Sequence, residues 1–312
     1  MKRELLIAQF LATPWAMQPE RLSAVAGLLA RWRSGAGASE ATLAAVAEAK
    51  SAAARKNSGK PSGSIAVLPL YGVITQRSSM VDDVCGPTGT STQAFLAAFR
   101  DAMEDETVGT IIIDIDSPGG SVYGVSELAS EIAQAAKSKR VVAFANSLAA
   151  SAAYWIGCAA GEFYVTPGGE VGSIGVWQAH EDWSKAMEQS GVDVTLISAG
   201  QYKVEGNPYE PLTDDAKAFL QSRVDDYYTM FTKAVAKGRG VPIDAVRNGM
   251  GQGRVLGADE ALAEKMVDGI KTFDEVVAMI RKDSTSSQTS AKADALPGVN
   301  RLAAAKRELF LL

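Results

Sequence analysis

Ser151 stands in the stretch Ser147-Leu148-Ala149-Ala150-Ser151-Ala152-Ala153-Tyr154-Trp155, which follows the apolar run Val141-Val142-Ala143-Phe144-Ala145. A β-rich run that passes straight into an Ala-rich helical pattern puts one hydroxyl at a strand-to-helix corner, beside backbone N–H groups that the helix leaves unpaired. That is a good place for a nucleophile. Small flanking side chains let a carbonyl approach Oγ closely and let its oxygen reach those N–H donors. Taken alone, the Ala-Ser run reads more simply as a tightly packed helix start.

A serine nucleophile needs a base. The chain holds one histidine, His180, in Gln178-Ala179-His180-Glu181-Asp182-Trp183, a polar stretch that reads as a helix start with His180 as a surface or capping residue. A Ser-His-Asp arrangement would rest on it alone. The other option is a neutral lysine. Bringing a lysine amine from about 10.4 to near 8 takes roughly 3 kcal/mol, which calls for burial and polar neighbours rather than a carboxylate. Lys137, Lys139, Lys185, Lys217, Lys233 and Lys237 sit on polar helical faces or near charged partners. Lys203 differs: it follows the strand-like residues 194–200, in the loop Gln201-Tyr202-Lys203-Val204-Glu205-Gly206-Asn207-Pro208. A loop leaving a strand end can return to the sheet edge that carries Ser151. Glu205 works against this, because a nearby carboxylate favours the ammonium.

A third feature is the turn Asp116-Ser117-Pro118-Gly119-Gly120-Ser121, between the nearly continuous apolar strand 108–116 and a helix over 122–137. Two glycines there allow the backbone to aim N–H groups outward and let another chain lie close, as an oxyanion hole requires. Without Ser151 it reads as a tight turn with Ser121 capping the helix. Neither phosphate-loop spacing nor GxGxxG is present.

These residues must be carried by the elements around them. Residues 65–74 read as a strand with a turn at Gly72, residues 76–89 as a loop, and Ser91 or Thr92 caps a helix through Ala94, Phe95, Ala98, Phe99 and Met103. Strand and helix alternate to about residue 200, which predicts an α/β fold. The first sixty residues read as a helical preface, with an amphipathic helix over 19–32 and a Gly/Ser/Pro-rich linker at 56–63. The expected organisation is a helical extension and linker over 1–63, a catalytic domain over 64–282 and a flexible tail over 283–312. Within that tail, residues 283–290 form a polar, disordered-looking tract.

Composition narrows the classes. The 312 residues are 47% hydrophobic and 21% charged, enough for a proper core. A net charge of −5 gives no basic surface for nucleic acid. The two cysteines, Cys85 and Cys158, lack metal-ligand spacing and read as small hydrophobes in a reducing compartment. No stretch approaches the length of a membrane span, and Glu4, Gln9 and Pro14 break the apolar start, so a cytoplasmic protein is expected.

The DSPGG turn, the AAS corner followed by aromatics, Gly172-Ser173-Ile174-Gly175-Val176 and Gly200-Gln201-Tyr202-Lys203 occur in the order and spacing of the signal peptide peptidase A family of Ser-Lys proteases. So do Gly253-Arg254-Val255, Ala258-Asp259-Glu260-Ala261-Leu262 and Val267-Asp268-Gly269, which resemble that family's closing segment; the likeness covers about residues 65–280. The resemblance implies Ser151 as nucleophile, Lys203 as general base, Ser173 as the hydroxyl orienting the lysine amine, and Gly119/Gly120 with the Ala152 N–H as oxyanion hole. It also implies a Clp-protease/crotonase-like fold of stacked β-β-α units and a ring-shaped homo-oligomer, with no cofactor and no metal. Ala152-Ala153 replaces the Gly-Gly often found after the serine, which narrows the groove but keeps the backbone donor. The start, Thr13-Pro14-Trp15-Ala16-Met17, resembles the head-maturation (capsid assembly) proteases of tailed phages, which share this catalytic domain. On that likeness the expected partners are scaffold, portal or coat proteins inside a procapsid in the host cytoplasm; the charge and the apolar pattern add the expectation of no nucleic acid and no membrane span. The alternatives are a cellular signal-peptide peptidase, a crotonase-like acyl-CoA enzyme and a non-catalytic capsid assembly protein.

Overall fold

The computed structural model describes residues 14–17, 64–77 and 89–294. The expected helix over 19–32, the linker at 56–63, most of the loop after Gln76, Cys85 and the last residues of the tail lie outside the described residues. The chain divides into two units, residues 1–270 and residues 271–312.

In the first unit a long strand repeatedly leads into a short strand and then a helix, the expected stacked β-β-α plan of an α/β fold. After β1 (Trp15–Met17), the first such set is β2 (Ser64–Tyr71), β3 (Ile74–Thr75), β4 (Thr90–Ser91) and α1 (Thr92–Glu104). The second is β5 (Val108–Ser117), β6 (Gly119–Ser121) and α2 (Val125–Ala135), and β7 (Arg140–Ala150) then passes into α3 (Ala152–Gly157). The long strands β2, β5 and β7 lie parallel in one sheet, and the short ones form a second sheet in the order β1-β6-β3-β4. The apolar run of β5 explains the centre: the strand is buried along most of its length, as a parallel strand covered on both faces must be.

The sheet is extended by β8 (Glu162–Val165) and β9 (Glu170–Gly172), which pair with successive halves of β7. Beyond α4 (Ser184–Gln189), α5 (Asp214–Arg239) and α6 (Ile243–Asn248), β10 (Val255–Gly257) pairs antiparallel with β9. Then α7 (Ala258–Ala263) leads to β11 (Gly269–Ile270), which lies parallel to β8. Helix α5 packs on α3 through a stacked ring pair, Trp155 and Phe231, with centroids 4.7 Å apart and planes 7° apart. Such a pair contributes about 0.5–1.5 kcal/mol beyond its area.

Local signals account for several helix ends. Ser91 Oγ accepts from Ala94 N at 3.3 Å and Thr213 Oγ1 from Ala216 N at 3.2 Å, both N-caps. Lys139, expected on a polar face, instead donates from Nζ to the Ala102, Met103 and Asp105 carbonyls at the end of α1. Three further expectations are corrected. Ser121 does not cap α2; Gly124 does, at φ 77°, where a Cβ would sit 2.5 Å from Thr92 Oγ1. Residues 194–200 form no strand, and among the described residues no strand pairs with them. Trp15–Met17, read as part of a helical preface, is a strand.

In the second unit α8 (Phe273–Asp294) begins with a capping box: Thr272 Oγ1 accepts from Glu275 N at 3.3 Å and Glu275 Oε2 accepts from Thr272 N at 2.7 Å. The helix continues through residues 283–290, past the boundary expected at 283. Among the described residues no helix is long and apolar enough to cross a membrane, and no cluster of His, Cys, Asp or Glu is arranged to hold a metal ion.

Candidate active site

Strand β7 does not run evenly to its end. Its pairing with β5 shifts between Ile115 and Ser117, and Ser147 takes φ 105° within the irregularity. The strand recovers at Ala149, opposite Ser117, and stops at Ala150. Ser151 then turns the chain with φ 56° and ψ −117°, and α3 starts at the next residue. A non-glycine residue in such a conformation costs on the order of 1–3 kcal/mol and persists only where its surroundings fix it. They do so here. Ser151 N donates to Gly172 O at 2.7 Å, and Ser151 O accepts from Trp155 N at 2.9 Å. The side chain has no such ties: Ser151 is 1% exposed, and its Oγ has no hydrogen-bond partner among the described residues. Ala152, buried behind it, is the first residue of α3, so its N–H has no partner within the helix.

The glycine turn lies against this corner. Gly119 has φ 95°, and a Cβ there would meet Ala16 O at 2.2 Å, Ala150 O at 2.9 Å and Ser151 Cβ at 2.9 Å. Only glycine fits, on space and on conformation. Gly120 is as crowded on its other side, with an ideal Cβ 1.9 Å from Ile74 O. The two glycines are therefore packed between β1, β3 and the serine. Gly119 N–H donates to Ser117 Oγ at 3.2 Å, and Ser117 Oγ donates to Gly72 O at 2.6 Å, so a buried hydroxyl ties the turn to the end of β2. Ser117 was not among the residues singled out from sequence, although it stands inside the DSPGG motif.

Ser173 is one residue beyond the carbonyl that holds Ser151. It is buried, has φ 52°, and donates its N–H to Arg254 O at 2.7 Å. The closing segment thus fixes the backbone beside Ser151. It also braces α3 from behind, since Tyr154 Oη donates to Met266 O at 2.9 Å. Asp268 Oδ2 accepts from Phe163 N at 2.7 Å, and Asp268 pairs with Arg239 at 2.7 Å. Burial pushes the Cys158 thiol, at the end of α3, up to about 12. It stays protonated and inert at neutral pH.

Ser151, Ser173, Gly119, Gly120 and Ala152 are thus gathered at one corner, and Lys203 is not hydrogen-bonded to it. Lys203 is exposed, in a run of turns whose backbone bonds are local, Lys203 N to Gly200 O at 3.1 Å and Glu205 N to Tyr202 O at 3.2 Å. It takes part in no ion pair among the described residues, with Glu205 or otherwise. His180 precedes α4 and its Nε2 lies 3.1 Å from the Asn207 carbonyl, so it is anchored to the loop that follows Lys203 and not to Ser151.

Residues 133–287 match peptidase family S49. Capsid assembly protease C of Escherichia phage lambda is 35% identical over 217 residues, which are 70% of this chain and 48% of that one. Head-tail preconnector protein GP5 of Enterobacteria phage P21 is 30% identical over 244 residues, 78% of this chain and 47% of that one. A putative signal peptide peptidase SppA of Enterococcus faecium is 28% identical over 193 residues, 61% of this chain and 56% of that one. The chain spans about half the length of these relatives.

Proposed function

Over residues 133–287 this chain belongs to peptidase family S49, and from that premise we propose that it is a serine endopeptidase with Ser151 as nucleophile and Lys203 as general base. The observation that carries this reading is the Ser151 corner: a strained, buried serine with an unpartnered hydroxyl, set against a glycine turn and the start of a helix. A merely structural serine has no use for that strain.

In the proposed cycle, neutral Lys203 takes the proton from Ser151 Oγ as that oxygen bonds the scissile carbonyl carbon. The oxyanion is stabilised by backbone N–H groups of the Gly119-Gly120 turn and of Ala152. The ammonium then protonates the leaving amine as the peptide C–N bond breaks, and the free amine activates the water that releases the acyl group. Ser173 Oγ orients the lysine amine. In a single chain Lys203 stands in the open, and the segment that bears it exposes Val192, Val194, Ile197 and Tyr202, with Ile197 96% and Tyr202 64% exposed. Apolar side chains in water favour a partner surface. A ring-shaped homo-oligomer that buries this segment would supply both the dry surroundings the amine needs and its approach to a serine.

The likeness to the two phage proteins supports scaffold, portal or coat proteins as substrates, and the procapsid in the host cytoplasm as the place of action. The likeness to a signal peptide peptidase favours, as a second reading, a cellular peptidase acting on small peptides. Co-expression with coat and scaffold, using Ser151→Ala and Lys203→Ala separately, tests the assignment. Loss of processing in both variants is expected. Processing that survives both excludes the dyad and leaves a non-catalytic assembly protein or an acyl-CoA enzyme of similar fold.

A further inference from the structure

Strand β1 has no part in the cycle above. It holds three residues, yet Trp15, Ala16 and Met17 are only 2, 0 and 1% exposed. Backbone contacts hold it on both sides. Along one edge Trp15, Ala16 and Met17 pair antiparallel with Ser121, Gly120 and Gly119. Along the other, Trp15 and Trp177 exchange N–H···O bonds at 2.9 and 3.0 Å, and the Trp177 indole N–H donates to Met17 O at 2.8 Å. Strand addition of this kind is how proteins hold an extended peptide, with the backbone supplying affinity and side-chain pockets supplying preference.

Its position and direction connect it to the serine. Ala16 O and Ser151 Cβ lie 2.2 and 2.9 Å from one and the same point, the Cβ position of Gly119. Because Met17 is opposite Gly119 and Trp15 opposite Ser121, the strand runs N- to C-terminally toward the Ser151 corner. The acyl half of a peptide being cut has that polarity, with its last carbonyl at the nucleophile. Gly120, a proposed oxyanion donor, is already in register with Ala16.

We propose that the slot between β6 and Trp177 is the polypeptide-binding cleft of the Ser151 site, and that Trp15–Met17 is its resident occupant, an extended strand supplied in cis that substrate must displace. The inference rests on the reading of Ser151 as a nucleophile. A site that is open only part of the time binds substrate more weakly in proportion to the open fraction. Loosening the resident strand therefore tightens substrate binding.

The test uses the full chain carrying Ser151→Ala, so that nothing is cut, and fluorescein-labelled, reduced α-casein as an extended polypeptide followed by anisotropy. Two further substitutions act on the resident strand alone: Ala16→Pro, which removes the N–H at the centre of the ladder, and Trp15→Ala, which removes its largest anchor. Casein is expected to bind about tenfold more tightly to either variant, and a synthetic peptide of residues 13–18 is expected to compete it off. Unchanged or weaker casein binding in the variants, or a peptide that does not compete, overturns the proposal. If Ala16→Pro melts far below the parent, Trp15→Ala decides alone; if both do, the strand is a permanent part of the core and the proposal fails. The same strand changes in the Ser151 chain separate this inference from the one beneath it. Casein cleavage with no fall in KM sinks the resident strand and keeps the protease; tighter binding with no cleavage in any chain sinks the protease and keeps the slot.

Discussion

Ser151 is held by the β7 ladder and the first turn of α3, which flank it, and by Gly172 O and the packed glycine turn, which come from segments distant in sequence. Lys203 is held by turns that begin and end within a few residues of it. The first region can sustain a strained dihedral because many contacts over-determine it; the second cannot, and its side chain is exposed with no tertiary hydrogen bond or ion pair among the described residues. A nucleophile must be rigid to meet a carbonyl at bonding distance, and a single chain can provide that rigidity. An amine that must lose its proton needs dry surroundings, and an exposed loop acquires those only when another surface closes over it.

The largest expected effect tests that division directly. Ser151→Ala and Lys203→Ala should each lower casein cleavage by roughly 10⁴-fold or more. Mixing the two inactive chains under conditions that allow subunit exchange should restore a measurable share of activity if base and nucleophile come from different copies. Absence of any restoration, with exchange verified by mass, would place both in one chain. Next in size is Gly119→Ala, whose methyl has no room and whose φ of 95° disfavours any side chain. Cleavage should fall by at least about a hundredfold, and urea denaturation should show a loss on the order of 1–3 kcal/mol.

Asp268→Ala removes the acceptor of Phe163 N and leaves the nearly buried Arg239 unpaired. A loss of roughly 2–4 kcal/mol is expected from urea midpoints. Activity per folded molecule should hardly change, because Asp268 braces the corner from behind. A substantial fall in kcat at full folding would show that the corner is less rigid than its contacts imply. The smallest effect is on pH dependence. Burial raises Cys158 and Tyr164 to about 12 from 9.0 and 10.0, so the folded chain keeps protons that the unfolded chain releases. The protonated forms contribute their full stability below pH 9, and this is lost as pH rises from about 9 to 12. Urea midpoints at intervals across that range should fall, and less steeply in Cys158→Ala. Iodoacetamide should leave native Cys158 unmodified at pH 8.

Much of the site was legible before the fold was known. The AAS corner, the glycine turn and the apolar β5 are written in consecutive residues, since each depends on local backbone preference and on a run of side chains of one kind. Residues 194–200 show where such reading fails: a β-branched pattern makes a strand only where a ladder partner exists, and none lies beside it among the described residues. Gly124 took the cap assigned to Ser121 because β6 intervenes between the turn and the helix, a pairing that depends on Trp15–Met17 and Ile74 far away in the chain.

From the amino-acid order alone follow the α/β class, the serine at a strand-to-helix corner, and the scarcity of imidazole that turns attention to lysine, all consequences of residue type and short-range spacing. Tertiary structure decided that Ser151 is strained and shut from solvent, that Ser117 and Arg254 secure its neighbours, that Lys203 stands apart from it, and that a three-residue piece of the N-terminal region lies beside the glycine turn. The reason is physical: a hydrogen-bond ladder, a close backbone approach and the burial of a hydroxyl are each made by residues that no local pattern brings together.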